Sequence, residues 1–340
     1  MLQYEVAHAS RTITAIYDGV VDILVIGGHG SGGVVSGGGN GFVTGASAGE
    51  AAAVFSMPVA RGDNLVATIG AGGAAVTASS TARAPGNNGN DTTVVINGRT
   101  IIAKGGRGAL VGPSGTPLVG PRGGYGGSGG DIHVEGGAGG SIVATTSLQA
   151  CAGSGAVGIL LNPHTLRAGG DVNSTGNAQL AGGAGVGGKG GDAGGTSAGY
   201  PGGGGSGGAA ATATAGTLTA PGPNLLGTLV AASPAALVVA LAARWGFDVF
   251  GGGGVSGAAP GVAAAYAAGP GGGGGTAASS SIYADPGAFG GPGGMLNATP
   301  VVRTAGNFGP GGSFLNTGSS AGAFSGAGAG GMVVFVLREA

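Results

Sequence analysis

Residues 23–41 read ILVIGGHGSGGVVSGGGNG, a short apolar strand that runs straight into glycines. Gly28, Gly30 and Gly33 fit G-x-G-x-x-G after a strand, and Glu50 follows about twenty residues on, the arrangement of a dinucleotide-binding turn. Such a turn works only if its third glycine opens a helix whose N-terminus receives the pyrophosphate. Here Val34, Val35, Ser36, Gly37, Gly38, Gly39, Asn40 and Gly41 follow instead, and each interior glycine costs a helix about 1 kcal/mol relative to alanine. No nucleotide site is expected. The same junction recurs downstream, so a strand that anchors a glycine segment reads as the building rule of the chain.

Composition carries the rule further. Of 340 residues, 88 are glycine and 16 proline, without the strict G-X-Y period of collagen. Disordered chains of such composition are kept in solution by charge. This one is only 7% charged, with a net charge of −1 and a mean hydropathy of +0.37. It is expected to fold or to assemble. Ordering glycine costs roughly 1–2 kcal/mol of backbone entropy per residue, and aromatics at 5% cannot build a large core to offset it. Backbone hydrogen bonds, each contributing about 0.5–1.5 kcal/mol net, must carry an unusual share.

The geometry that suits them is the threefold extended helix, with three residues per turn, about 3.1 Å rise and no internal hydrogen bonds. Its amides and carbonyls point outward, and only glycine lets neighbours come close enough to pair. The expected fold is therefore mainly β with extended polyglycine II helices: a β-strand frame at both chain ends around a glycine-rich bundle. Irregular loops over a β core are the other reading of the same runs. One glycine-rich domain, 1–340, is expected. Residues 1–108 form the strand frame with hairpins, 109–331 the bundle with an apolar insert at 216–250, and 332–340 a closing strand.

Local signals fill in the frame. Asp18-Gly19, between strand-like runs at 12–17 and 20–26, reads as a hairpin turn. Residues 50–59 form a further strand candidate, and Arg61-Gly62-Asp63-Asn64 a turn into 65–69. Asn97-Gly98 between TTVVI and RTIIA supplies the two positive-φ positions of a type I′ hairpin. Residues 332–337 (MVVFVL) read as a buried strand lying near residues 23–26. Ser233 as N-cap, Pro234 in the first turn and Gly246 as stop predict one short apolar α-helix near 234–245. The uncharged stretch around it is interrupted by Gly227, Ser233 and Pro234, so membrane insertion is not expected.

Four stretches then carry a resemblance: DILVIGGHGSGG (22–33), MPVARGDNLVATIGAGG (57–73), TVVINGRTIIAKGGRG (93–108) and the closing GAGAGGMVVFVLREA (326–340). In this order they resemble the glycine-rich domain of bacteriophage tail proteins and tail-fibre adhesins. The resemblance implies that an apolar strand leads into glycine runs, and that IGAGG (69–73) and AKGG (103–106) stand at the ends of a turn-strand unit and of a hairpin. It also implies bundled polyglycine II helices whose connecting loops touch a host receptor. The apolar insert departs from that pattern.

Chemistry is sparse. The histidines His8, His29, His133 and His164 lie far apart, and no nucleophile stands beside a base, so no catalytic residue, cofactor or metal is expected. GGSGGD (126–131) and GGKGGD (187–192) match the start of a calcium-binding nonapeptide but lack its apolar position and tandem repetition. GAGVGGKG (183–190) lacks the hydroxyl residue of a P-loop, since Gly190 stands there. Cys151 is alone and reads as a small buried residue. Near neutrality argues against nucleic acid. The candidates for host-surface or partner contact are the aromatics Trp245, Phe247 and Phe250 after the helix, and Tyr200, Tyr266 and Tyr283 beside glycine runs. MLQYEVAHAS shows no signal peptide, so synthesis in the host cytoplasm is expected.

Together these readings imply a non-catalytic virion protein of the tail tip or tail fibre, contributing to host attachment. Its expected partners are other tail proteins, a host surface glycan or protein, and further copies of itself. A purely structural virion subunit is the alternative, and a cell-surface glycine-rich matrix protein a third reading.

Overall fold

The computed structural model describes residues 2–35, 41–78, 83–143, 149–157, 168–173, 179–181, 183–184, 189–194, 213–214, 277–278, 295–296, 314–315 and 323–339. These residues are mainly β-strand and include no helix. The helix expected at 234–245 and the insert at 216–250 lie outside the described residues.

Nine strands form two antiparallel sheets: β1 (Leu2–Ala7), β2 (Arg11–Thr14), β3 (Gly19–Ile26), β4 (Ala51–Val59), β5 (Asn64–Thr68), β6 (Thr92–Ile96), β7 (Arg99–Ala103), β8 (Ile132–Val134) and β9 (Met332–Glu339). One sheet has the order β1-β9-β3-β4-β8, the other β7-β6-β5-β2. Residues of the second sheet alternate as a half-buried strand must: in β5, Leu65 and Ala67 face inward while Asn64, Val66 and Thr68 are exposed. Between the sheets Ile13, Ile23, Val25, Leu65, Val94, Ile101, Val333 and Phe335 make one apolar core. Each fully buried aliphatic or aromatic side chain there contributes about 1.5–3 kcal/mol. The two apolar runs seen in the sequence are paired neighbours, with Ile23 opposite Phe335 and Val25 opposite Val333.

The Asn97-Gly98 turn forms as its residues dictate, with φ of 47° and 75° between β6 and β7. Asp18-Gly19 does not make a hairpin. β2 pairs with β5, whereas β3 pairs with β9 and β4, so the chain changes sheets at this point. Backbone contacts hold it there: Ala15 N–H donates to Asp63, Gly62 N–H donates to Ala15, and Arg61 N–H donates to the Asp18 carboxylate. A bulge between Val21 and Ile23 turns Asp22 toward β4, where its carboxylate accepts from Ser56 N–H (2.8 Å) and pairs with Arg338 (2.7 Å).

Each of several strands runs on into an extended glycine-rich segment outside any regular sheet. Residues 27–32, continuing β3, display the rule. Gly27 and Gly30 donate to the carbonyls of Glu50 and Ser47, Gly28 and Ser31 to Asn90 and Asn87, and His29 and Gly32 to Ala329 and Gly326, all at 2.9–3.1 Å. Successive amides thus go to three different neighbours in rotation, and each neighbour is met every third residue, antiparallel. The spacing recurs elsewhere. Gly136, Gly139 and Ile142 donate to Gly124, Pro121 and Leu118; Gly328 and Gly331 to Gly73 and Gly70; Ala152 and Gly155, in parallel, to Val43 and Ala46. Neighbouring backbones lie so close that a Cβ at Gly30 would overlap the Arg107 carbonyl.

Candidate functional site

The strands fix where each glycine segment starts, and polar side chains fix how the segments lock. Residues 44–50 (TGASAGE) lead into β4 beside 104–110, which lead out of β7. Thr44, Ser47 and Glu50 stand three apart, and each exchanges backbone and side-chain hydrogen bonds with one residue of the neighbour. Thr44 N–H donates to Leu110 O (2.9 Å) while Leu110 N–H donates to Thr44 Oγ1 (2.8 Å). Ser47 does the same with Arg107, and Glu50 with Lys104. On the other flank of 104–110, Gly105 and Gly108 donate to the side chains of Asp91 and Asn88, again three apart. Where a neighbouring carbonyl does not reach, a short polar side chain accepts in its place.

Glu50 anchors the junction between the sheets and these segments. Its carboxylate is 2% exposed and accepts from Lys104 N–H, Gly127 N–H (2.9 Å) and His133 Nδ1 (2.8 Å). His133 Nε2 accepts in turn from Gly130 N–H, so the ring carries its proton on Nδ1. A buried carboxylate with three donors is a structural clamp. Asp91 nearby pairs with the Lys104 ammonium at 2.7 Å. Among the described residues no group of three or more histidine, cysteine or acidic side chains is arranged to hold a metal ion. Asp131, in the calcium-like GGSGGD stretch, is engaged by Arg99 and by Phe55 N–H.

A contact surface is the better candidate. Residues 118–125, 135–143, 168–173 and 189–194 lie side by side, joined through Leu118–Ile142, Ile142–Val172 and Val172–Ala193 bridges. These bridging side chains pack inward with Phe42 and Ala152. Outward, Val119, Arg122 and Tyr125 are exposed at spacing three, with buried Pro121, Gly123 and Gly124 among the residues between them. Arg122 grips the Glu135 carboxylate through Nε (2.6 Å) and a terminal nitrogen (2.9 Å), and its guanidinium lies 3.7 Å from the Tyr125 ring centre. Further across, Lys189 bonds Asp171 and Asp192. Desolvation opposes the charge on Lys189, but the two carboxylates outweigh it and raise its pKa.

Trp245, Phe247, Phe250, Tyr200, Tyr266 and Tyr283 all lie outside the described residues. Arg61-Gly62-Asp63 is a turn, with Gly62 at φ 95° and the Asp63 carboxylate accepting from Ala60 N–H and Asn97 Nδ2. Cys151 is buried against Val35, Val43, Ala46 and Ala109. The Val119–Arg122–Tyr125 row and the Thr44–Ser47–Glu50 brackets were not anticipated. Their signal is a larger or polar residue at every third position with only glycine, alanine or proline between, as in VGPRGGY and TGASAGE. No protein-family model matches the chain, and no curated protein matches it.

Proposed function

We propose that this chain is a non-catalytic bacteriophage virion protein of the tail tip or tail fibre, whose glycine segments pack as a bundle of polyglycine II helices and hold contact residues for a host surface. The observation that carries the reading is the rotation of six consecutive amides of residues 27–32 among three neighbours. A backbone with three residues per turn and outward-pointing hydrogen-bonding groups produces that pattern, and a twisted two-neighbour strand does not. The near absence of charge on the chain suits burial in an assembly with other tail proteins and with copies of itself.

In this reading the bundle serves as a stiff mount. Outward residues three apart stand about 9.3 Å from one another along a segment, so a row such as Val119, Arg122 and Tyr125 keeps its spacing without a flexible loop. Weak contacts with a surface glycan or protein, repeated over several copies, add up through effective concentration. The chain functions in the virion after synthesis in the host cytoplasm, and no step requires nucleic acid, a cofactor or membrane insertion.

The test is binding of the labelled, purified full chain to a panel of intact bacteria. The expected result is saturable binding to particular strains, displaced by phage that adsorb to them, and labelling of tail ends by antibodies to the chain. Tail labelling without cell binding by a folded sample would leave a structural virion subunit. No labelling of any particle would overturn the virion assignment.

A further inference from the structure

His29 is the largest side chain within residues 27–32, and its surroundings are unusual for an imidazole. The ring is fully buried. Its Nδ1 accepts a 2.9 Å hydrogen bond from Gly49 N–H, which places the ring proton on Nε2, and Nε2 meets no hydrogen-bond partner among the described residues. The backbone of His29 is equally committed, donating to Ala329 O and accepting from Gly73 N–H. The residue thus joins 27–32 to 44–50, 326–329 and 70–73 at one point.

The packed elements offer no unengaged carboxylate to a second ring proton. Residues 27–32, 70–76 and 325–331 carry no other titratable side chain. On 44–50 the only such group is Glu50, already held by Lys104 N–H, Gly127 N–H and His133. On 86–91 it is Asp91, paired with Lys104; 104–110 adds that lysine and Arg107, both cationic. A proton on Nδ1 would also turn the Gly49 contact into two opposed donors.

We propose that His29 is an acid-sensitive latch: a proton on its ring removes the acceptor for Gly49 and forces apart the segments that meet at this residue. The direction follows from burial. Desolvation lowers the pKa of His29 from 6.5 to about 3 in the folded chain, whereas in the unfolded chain the ring titrates at its ordinary value. The native state is therefore favoured fully above pH 6.5, and that contribution is lost progressively as pH falls toward 3. Because carboxylates begin to titrate only near pH 4–5, the interval from 6.5 to 5 reports on histidine.

The experiment compares denaturant unfolding of the full chain with His29→Gln, whose Oε1 accepts from Gly49 without titrating. Between pH 6.5 and 5 the unfolding constant of the wild type is expected to rise relative to the variant, approaching tenfold per pH unit as one proton is taken up. Equal slopes would overturn the latch. Should the variant not fold, nitrogen NMR of the wild-type imidazole decides: the Nε2–H tautomer is expected to persist from pH 8 until unfolding. A folded-state titration of His29 near pH 6.5 would overturn the proposal.

Discussion

Ser47 and Arg107 hold each other by three hydrogen bonds, Ser47 N–H to Arg107 O at 2.9 Å, Arg107 N–H to Ser47 Oγ at 2.7 Å and the Ser47 hydroxyl to Arg107 O at 3.3 Å. The serine side chain thus does for the neighbouring amide what a carbonyl does elsewhere in the array. Ser47→Ala keeps the first bond and leaves the Arg107 amide without an acceptor, at a cost of about 1–3 kcal/mol. Denaturant unfolding would measure it, and Ser47→Thr, which restores a hydroxyl, should recover most of the loss.

Glycine at 30 and glycine at 330 answer to different causes. A Cβ at Gly30 would overlap the Arg107 carbonyl, a backbone atom that cannot swing away, whereas at Gly330 the nearest atom lies at 3.5 Å. Gly30→Ala is expected to destabilise by about 1–3 kcal/mol or more. Gly330→Ala should be neutral or stabilising by roughly 0.4–1 kcal/mol, because the unfolded chain loses freedom. Equal effects in thermal melts would contradict the close backbone approach.

Asp63 links the 60–64 turn to the β6–β7 hairpin. The Ala60 N–H, and after it the Asn97 amide, hold its carboxyl below the ordinary value of 3.8, against a small opposing desolvation. A depressed acid stabilises the fold above its unfolded pKa, and the contribution disappears as pH falls through the folded value. Carbon NMR of the Asp63 carboxyl should therefore give a midpoint below 3.8. Asn97→Ala should move that midpoint upward without abolishing the shift.

Cys151 is fully buried among small apolar side chains. A thiol so placed is shielded from reagents as long as the segments around it stay closed. Maleimide labelling of the native chain is expected to be negligible over hours and complete after unfolding. Rapid labelling under native conditions would show that residues 149–157 open locally.

Much of the strand architecture was legible because local rules agreed with one another. Asn97-Gly98 needed two positive φ values, and the apolar runs around Ile23 and Val333 needed a dry environment, which they found beside each other. Asp18-Gly19 misled because turn chemistry is blind to what the following strand will pair with; Ala15 and Arg61 decided the path through contacts with residues far along the chain. The brackets at Thr44, Ser47 and Glu50 escaped notice for another reason. A polar residue at every third position fits neither the helix period of 3.6 nor the strand period of 2, and in TGASAGE the intervening Ala46 and Ala48 blur the glycine spacing that marks a threefold segment. The proposed contact aromatics, from Tyr200 to Tyr283, lie outside the described residues.

Residues 27–32 share partners at every third position, and that arithmetic gives the segments a reading frame. Inserting or deleting a whole G-G-x triplet would lengthen or shorten a segment while leaving each amide aimed at its former neighbour. If the segments are the threefold helices proposed above, a change of one or two residues would turn everything beyond it by about a third of a revolution, pointing glycines outward and side chains into the places where backbones touch. Variation in length along such a chain should therefore come in threes. Its tolerance of insertions would be set by phase, much as a coding sequence tolerates them.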